Sequence, residues 1–78
     1  MTTLRAKFGR RLRQLRRQKD LTQEQLAEAA EVSVDFISNV ERGINAPSFE
    51  SIERLAKALG VELKELFDFQ QDRGSPTL

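Results

Sequence analysis

From Leu4 to Lys19 the apolar residues Leu4, Phe8, Leu12 and Leu15 recur at three- or four-residue intervals, the spacing that gathers side chains on one face of a helix. Thr2 or Thr3 stands where the N-cap of that helix is wanted. Asp20-Leu21 makes a short connection, and Thr22 opens a second helix to about Ala30, with Gln25 completing a capping-box pattern. Ser33 opens a third, with Phe36, Ile37 and Val40 on one side, Val34, Asp35, Ser38, Asn39 and Arg42 on the other, and Gly43 as its stop. After the loop Ile44-Asn45-Ala46-Pro47, Ser48 caps a fourth helix in which Phe49, Ile52, Leu55, Ala56 and Leu59 share a face before Gly60 ends it. A short fifth helix, about Glu62 to Phe69, presents Leu63, Leu66 and Phe67 on one side. Neither strand-like alternation nor an internal repeat occurs. The pattern predicts an all-α fold, a compact five-helix domain over residues 1–70 followed by a flexible C-terminal tail over 71–78.

Within this frame the stretch from Thr22 to Gly43 reads as two short helices joined by a tight turn, with Leu26, Ala27, Val32, Ile37 and Val40 spaced to pack one against the other. That unit is the helix-turn-helix used to read duplex DNA, and its remaining polar positions are free to face a ligand.

Charge sharpens the picture. The formal net charge of the 78 residues is +1, yet residues 1–19 hold eight Lys or Arg and no acid, whereas residues 20–78 hold five basic and twelve acidic side chains, +8 against −7. A basic segment beside a DNA-reading motif suggests contact with phosphates. The alternative is that Arg5, Lys7, Arg10, Arg11, Arg13, Arg16, Arg17 and Lys19 form the solvated face of the first helix and pair with the acidic remainder. Without cysteine the chain has neither a disulfide framework nor a thiolate metal site, and it fits a reducing cytosol. No apolar run approaches the roughly 18 residues of a membrane span. The expected location is intracellular, in the cytoplasm.

Four blocks carry a family likeness: T-Q-E-Q-L-A at Thr22 to Ala27, F-I-S-N-V-E-R-G at Phe36 to Gly43, P-S-F-E-S-I at Pro47 to Ile52, and L-A-K-A-L-G-V with E-L-F up to Phe67. In their order and gaps they make the chain, over about residues 5 to 69, resemble the DNA-binding domain of phage repressors and Cro proteins, the Xre or Cro/C1-type helix-turn-helix family. The resemblance implies that the second helix lies across the DNA backbone and the third enters the major groove, and that the cytoplasm is that of a prokaryotic cell or a phage-infected host. On this likeness Gln23 is a phosphate anchor, aided by N–H groups at its helix N-terminus, or else an ordinary solvent-exposed glutamine. Val34, Asp35, Ser38 and Asn39 match positions that reach base edges. Asn39 can pair bidentately with adenine, and Val34 can lie against a thymine methyl. Asp35 either accepts from cytosine N4 or acts through its charge, favourably at the helix N-terminus and against wrong sequences. Ser33 both caps and touches a phosphate, or only caps. Arg42 and Asn45 match backbone-contacting positions, although an arginine near a helix C-terminus also has a structural reason to be there. Arg16 and Glu41 match a structural ion pair. Two departures stand out: Glu31 occupies the turn position where glycine is usual, and Phe36 replaces a frequent tyrosine.

His, Cys, Tyr and Trp are all missing, so imidazole bases, thiolate nucleophiles and the usual zinc ligands are unavailable; no enzyme activity, metal, cofactor or small-molecule ligand is expected. The reading is a DNA-binding transcriptional regulator, a repressor or autoregulatory controller such as those of restriction–modification systems, binding double-stranded DNA as a homodimer. Leu63, Leu66, Phe67 and Phe69 are the expected dimer interface, unless Leu63, Leu66 and Phe67 only complete the core. The rival reading keeps the fold but binds a partner protein, as an antitoxin or antirepressor does.

Overall fold

Hydroxyl side chains start four of the five helices. In the computed structural model, which describes residues 2–70, Thr3, Thr22, Ser33 and Ser48 accept from the backbone N–H of Ala6, Gln25, Phe36 and Ser51 at 3.0–3.2 Å. The helices so begun are α1 (Leu4–Gln18), α2 (Gln23–Ala30), α3 (Val34–Glu41) and α4 (Phe49–Leu59), followed by α5 (Leu63–Leu66). Thr3, not Thr2, is the first cap. Thr22 forms a full capping box, its own N–H donating to Gln25 Oε1 at 2.9 Å. No strand occurs among the described residues. The tail expected over 71–78 lies outside them.

Helix α1 packs on α3 and α5, α2 packs on α3 and α4, and α4 also meets α5. The core lies where these contacts converge: Leu12, Leu26, Ile37, Val40, Leu55 and Leu66 are wholly buried. Each such side chain contributes roughly 1.5–3 kcal/mol through burial.

Three expectations are corrected. The fifth helix is only Leu63–Leu66, because Glu62 gives it no side-chain cap and the chain turns at Phe67, whose ring packs on Phe8 at 5.3 Å and on Phe69 at 6.0 Å. Phe49 does not share the buried face of α4; it is 84% exposed. As the first helical residue it lies roughly two turns from Leu55 and three from Leu59, at the margin of their stripe, so nothing folds over it. Leu66, finally, is sealed in the core with no exposed area and is unavailable to a partner, so it drops out of the expected dimer surface.

Two of the basic residues of α1 are also inside. Arg11 and Arg16 are buried, and Arg11 Nε donates to the Glu65 carbonyl at 2.7 Å, tying α1 to the end of α5. Among the described residues no buried side-chain nitrogen or oxygen lacks a partner, as the high cost of burying unpaired polar atoms requires.

Candidate nucleic-acid interface

The joint between α2 and α3 sets the aim of the outward-facing residues. Glu31 ends α2 in the left-handed region, φ 61° and ψ 45°, and Val32 N–H returns to the Ala27 carbonyl at 2.9 Å. This is the hydrogen bonding of a glycine-type helix stop carried by a glutamate. Ser33 then caps α3 at once, so only Glu31 and Val32 stand between α2 and that cap.

On α3 the apolar positions Ile37 and Val40 point into the core and leave Val34 and Asp35 exposed, with Ser38 and Asn39 half-buried beside them. The four expected base-reading residues thus share the outer side of one helix. Asp35 stands in its first turn, where a carboxylate is favoured by the helix dipole. Ser33 Oγ accepts from Phe36 N–H at 3.0 Å, which leaves its O–H proton available to an acceptor. Beyond the helix, Arg42 is exposed and Gly43 takes φ 77°. The Asn39 carbonyl accepts from Ile44 N–H at 2.9 Å and from Asn45 N–H at 3.2 Å, while Arg5 Nη1 donates to the Ile44 carbonyl at 3.1 Å. These bonds hold the loop bearing Asn45 against the end of α3.

Gln23 is the first residue of α2 and half-buried. The capping box uses the N–H of Gln25, so the helix N-terminus presents the N–H groups of its first residues toward an approaching anion. Its side chain is engaged as well: Nε2 donates to Glu41 Oε1 at 3.0 Å. Glu41, buried at the end of α3, also accepts from Arg16 Nε at 2.6 Å and Nη2 at 3.1 Å. Arg16 Nη1 completes the unit by donating to the Leu21 carbonyl at 2.8 Å. Arg16 and Glu41 therefore form a two-pronged ion pair inside the domain.

Sequence reading missed three features. The bond from Gln23 to Glu41 spans 18 positions and leaves no local signal. Burial of Arg11 did leave one, since it sits three positions after Phe8 and four before Leu15, within their apolar stripe. The third is the extension of the expected apolar patch of Leu63 and Phe67 onto Leu4, Phe49 and Ile52: Leu4, Phe49, Ile52 and Phe67 border one open cleft and Leu63 joins Phe49, Ile52 and Phe67 in the next. Leu4 is 62% exposed, Leu63 47% and Phe67 42%, and Phe69 is half-buried at its edge. Arg10, Arg13 and Arg17 line an open groove along α1 with Gln14 and Gln18.

No helix among the described residues is long and apolar enough to cross a membrane. The chain is 42% identical over 67 residues to control protein C.BamHI of Bacillus amyloliquefaciens, an alignment covering 85% of this chain and 83% of that one. It is 37% identical over 59 residues to the cryptic phage CTXphi transcriptional repressor RstR of Vibrio cholerae, covering 76% of this chain and 53% of the repressor. Among solved structures, the restriction-modification controller protein C.AhdI from Aeromonas hydrophila superposes with a TM-score of 0.79 at 44% identity, covering 81% of this chain and 96% of that one. Residues 7–68, which span all the interface elements described above except the first residues of α1, match the model of the helix-turn-helix domain, and the chain belongs to that family.

Proposed function

We propose that this chain is a sequence-specific DNA-binding regulator of transcription that occupies an operator as a homodimer, with α3 in the major groove and the start of α2 on the backbone. The observation that carries the reading is the shared outward side of α3. Val34, Asp35, Ser38 and Asn39 stand together there, with Gln23 at the start of α2 tied to the end of α3 and Arg42 and Asn45 following that end. A groove about 12 Å wide admits one helix, and this one offers a bidentate amide, a hydroxyl, a methyl-bearing side chain and a carboxylate at successive turns. Ser33, Gln23, Arg42 and Asn45 supply the flanking polar contacts to phosphates, which fix register without reading sequence. Asp35 has two roles open to it, accepting from cytosine N4 or favouring the start of α3 while repelling misplaced phosphates.

Similarity to control protein C.BamHI and to the controller protein C.AhdI supports a controller of this kind, and similarity to a phage repressor supports action by occupying a promoter. Such a regulator works where the chromosome is, in the prokaryotic cytoplasm, and performs no catalysis; with no histidine or cysteine the chain lacks the commonest groups for it. The dimer surface is the apolar patch of Leu63, Phe67 and Phe69, extended by Leu4, Phe49 and Ile52.

Selection of bound duplexes from a random DNA library tests the reading. The expected result is a two-fold symmetric consensus with half-site centres about one helical turn, roughly 34 Å, apart. No enrichment by the folded protein would turn the assignment toward a partner protein bound through the same fold.

A further inference from the structure

We propose that Glu41 is a positioning residue for DNA binding: buried and out of reach of the duplex, it aims the Gln23 amide at the phosphate backbone. The inference rests on the reading of Gln23 as a backbone contact.

A carboxylate can only accept, so the Gln23 amide must turn its nitrogen, not its oxygen, toward Glu41. The observed bond, Nε2 to Oε1 at 3.0 Å, has that sense. One of the two Nε2 hydrogens is thereby held on Glu41, and the amide plane is fixed with it. The second hydrogen is left for a ligand at the N-terminus of α2, beside backbone N–H groups already directed there. Glutamine has three side-chain torsions, and a free one loses that freedom when it meets a phosphate. Here the freedom is given up on folding, before DNA arrives.

Glu41 suits the task because its charge is already matched. Arg16 donates to both of its oxygens, at 2.6 and 3.1 Å, so the carboxylate orients Gln23 without presenting an unbalanced negative charge to the duplex. The same side chain joins three helices: Arg16 belongs to α1, Gln23 begins α2, and Glu41 ends α3. A single carboxylate therefore ties the backbone contact to the end of the reading helix.

The test is a double-mutant cycle on the full chain, with Gln23→Ala, Glu41→Gln and the pair, titrated onto the selected operator and onto unrelated duplex. Each single change is expected to weaken binding to both duplexes by about tenfold, the effect of roughly 1.4 kcal/mol, and the double variant is expected to be no weaker than either. A purely structural Glu41 would lower the thermal midpoint and weaken binding by the same factor with or without Gln23. Additive losses of about a hundredfold in the double variant would therefore overturn the proposal. Should Glu41→Gln not fold, the Gln23 side-chain amide of the wild type decides by NMR during titration with operator. The hydrogen on Glu41 should keep its shift while the other moves, and movement of both together refutes the assignment. If the wild type selects no operator, the regulator reading itself has failed, which is distinguishable from an additive cycle.

Discussion

Glu31 holds a left-handed backbone, φ 61°, at the joint that aims α3. For an L-residue with a side chain that conformation costs about 1–2 kcal/mol, and the glutamate is exposed with no core contact to offset it. Glu31→Gly should raise the stability of the domain by about 0.5–1 kcal/mol, the left-handed relief less the greater freedom of glycine when unfolded, as read by urea unfolding. An unchanged or lower midpoint would mean that the strain is absent. Asn39 belongs to the same scale. Its backbone is committed to the loop through Ile44 and Asn45, which leaves the side chain as the variable part. Asn39→Ala should lower discrimination at one base position of the half-site by about 1–3 kcal/mol and leave the others intact, measured by repeating the library selection with the variant. The position of each was legible from sequence: the turn by the glycine that the family likeness leads one to expect there, and the outward place of Asn39 by the polar side of a short amphipathic segment. The tie between Gln23 and Glu41 was not, because a contact 18 residues apart depends on how three helices dock.

At the scale of elements, the helix starts were the most legible part of the fold. A Ser or Thr cap and the N–H it satisfies are three residues apart, so Thr22, Ser33 and Ser48 announce their helices without tertiary help. The end of the last helix was not announced, since four residues have little helical stability of their own and the turn at Phe67 follows from packing on Phe8. Helix-to-helix approach was equally silent in the pattern. Gly9 lies on α1 where a Cβ would fall 2.2 Å from the Val40 carbonyl oxygen and 2.7 Å from that of Glu41. Both are backbone atoms of α3, so neither can rotate away. Gly9→Ala must push α1 off α3 and should destabilise the domain by about 3 kcal/mol or more, at the upper end of overpacking costs. The same displacement separates Arg16 from Glu41, so near-wild-type stability in chemical denaturation would contradict this account of the interface.

For the whole molecule, on the proposed reading of a homodimer, the decisive quantity is how two half-sites are held together. Leu4, Phe49, Leu63 and Phe67 leave apolar area in contact with water on the side of α4 and α5, at a patch flanked by the basic Arg5 and the acidic Glu53. Contiguous exposed apolar area of this sort marks an association surface on a small domain. Phe49, 84% exposed, is the side chain with most to gain from a partner. Replacing it should cost the monomer little, because it supports nothing in the core, whereas a charge there must be desolvated if a second copy covers it. Phe49→Glu is therefore expected to keep its thermal midpoint under conditions where the wild type is monomeric, and to sediment as a monomer at concentrations where the wild type is a dimer. DNA binding reports the same change in a second way. A dimer making about 6–10 phosphate contacts loses roughly 10³–10⁵ in affinity between 50 and 200 mM salt, with a logarithmic slope proportional to the contacts engaged. A monomeric variant engages half as many, so the Phe49→Glu slope should fall to about half that of the wild type while the base preference within one half-site persists. Equal slopes together with an unaltered sedimentation profile would place the dimer contact elsewhere on the molecule, and equal slopes with a monomer in solution would show that DNA itself brings the two copies together.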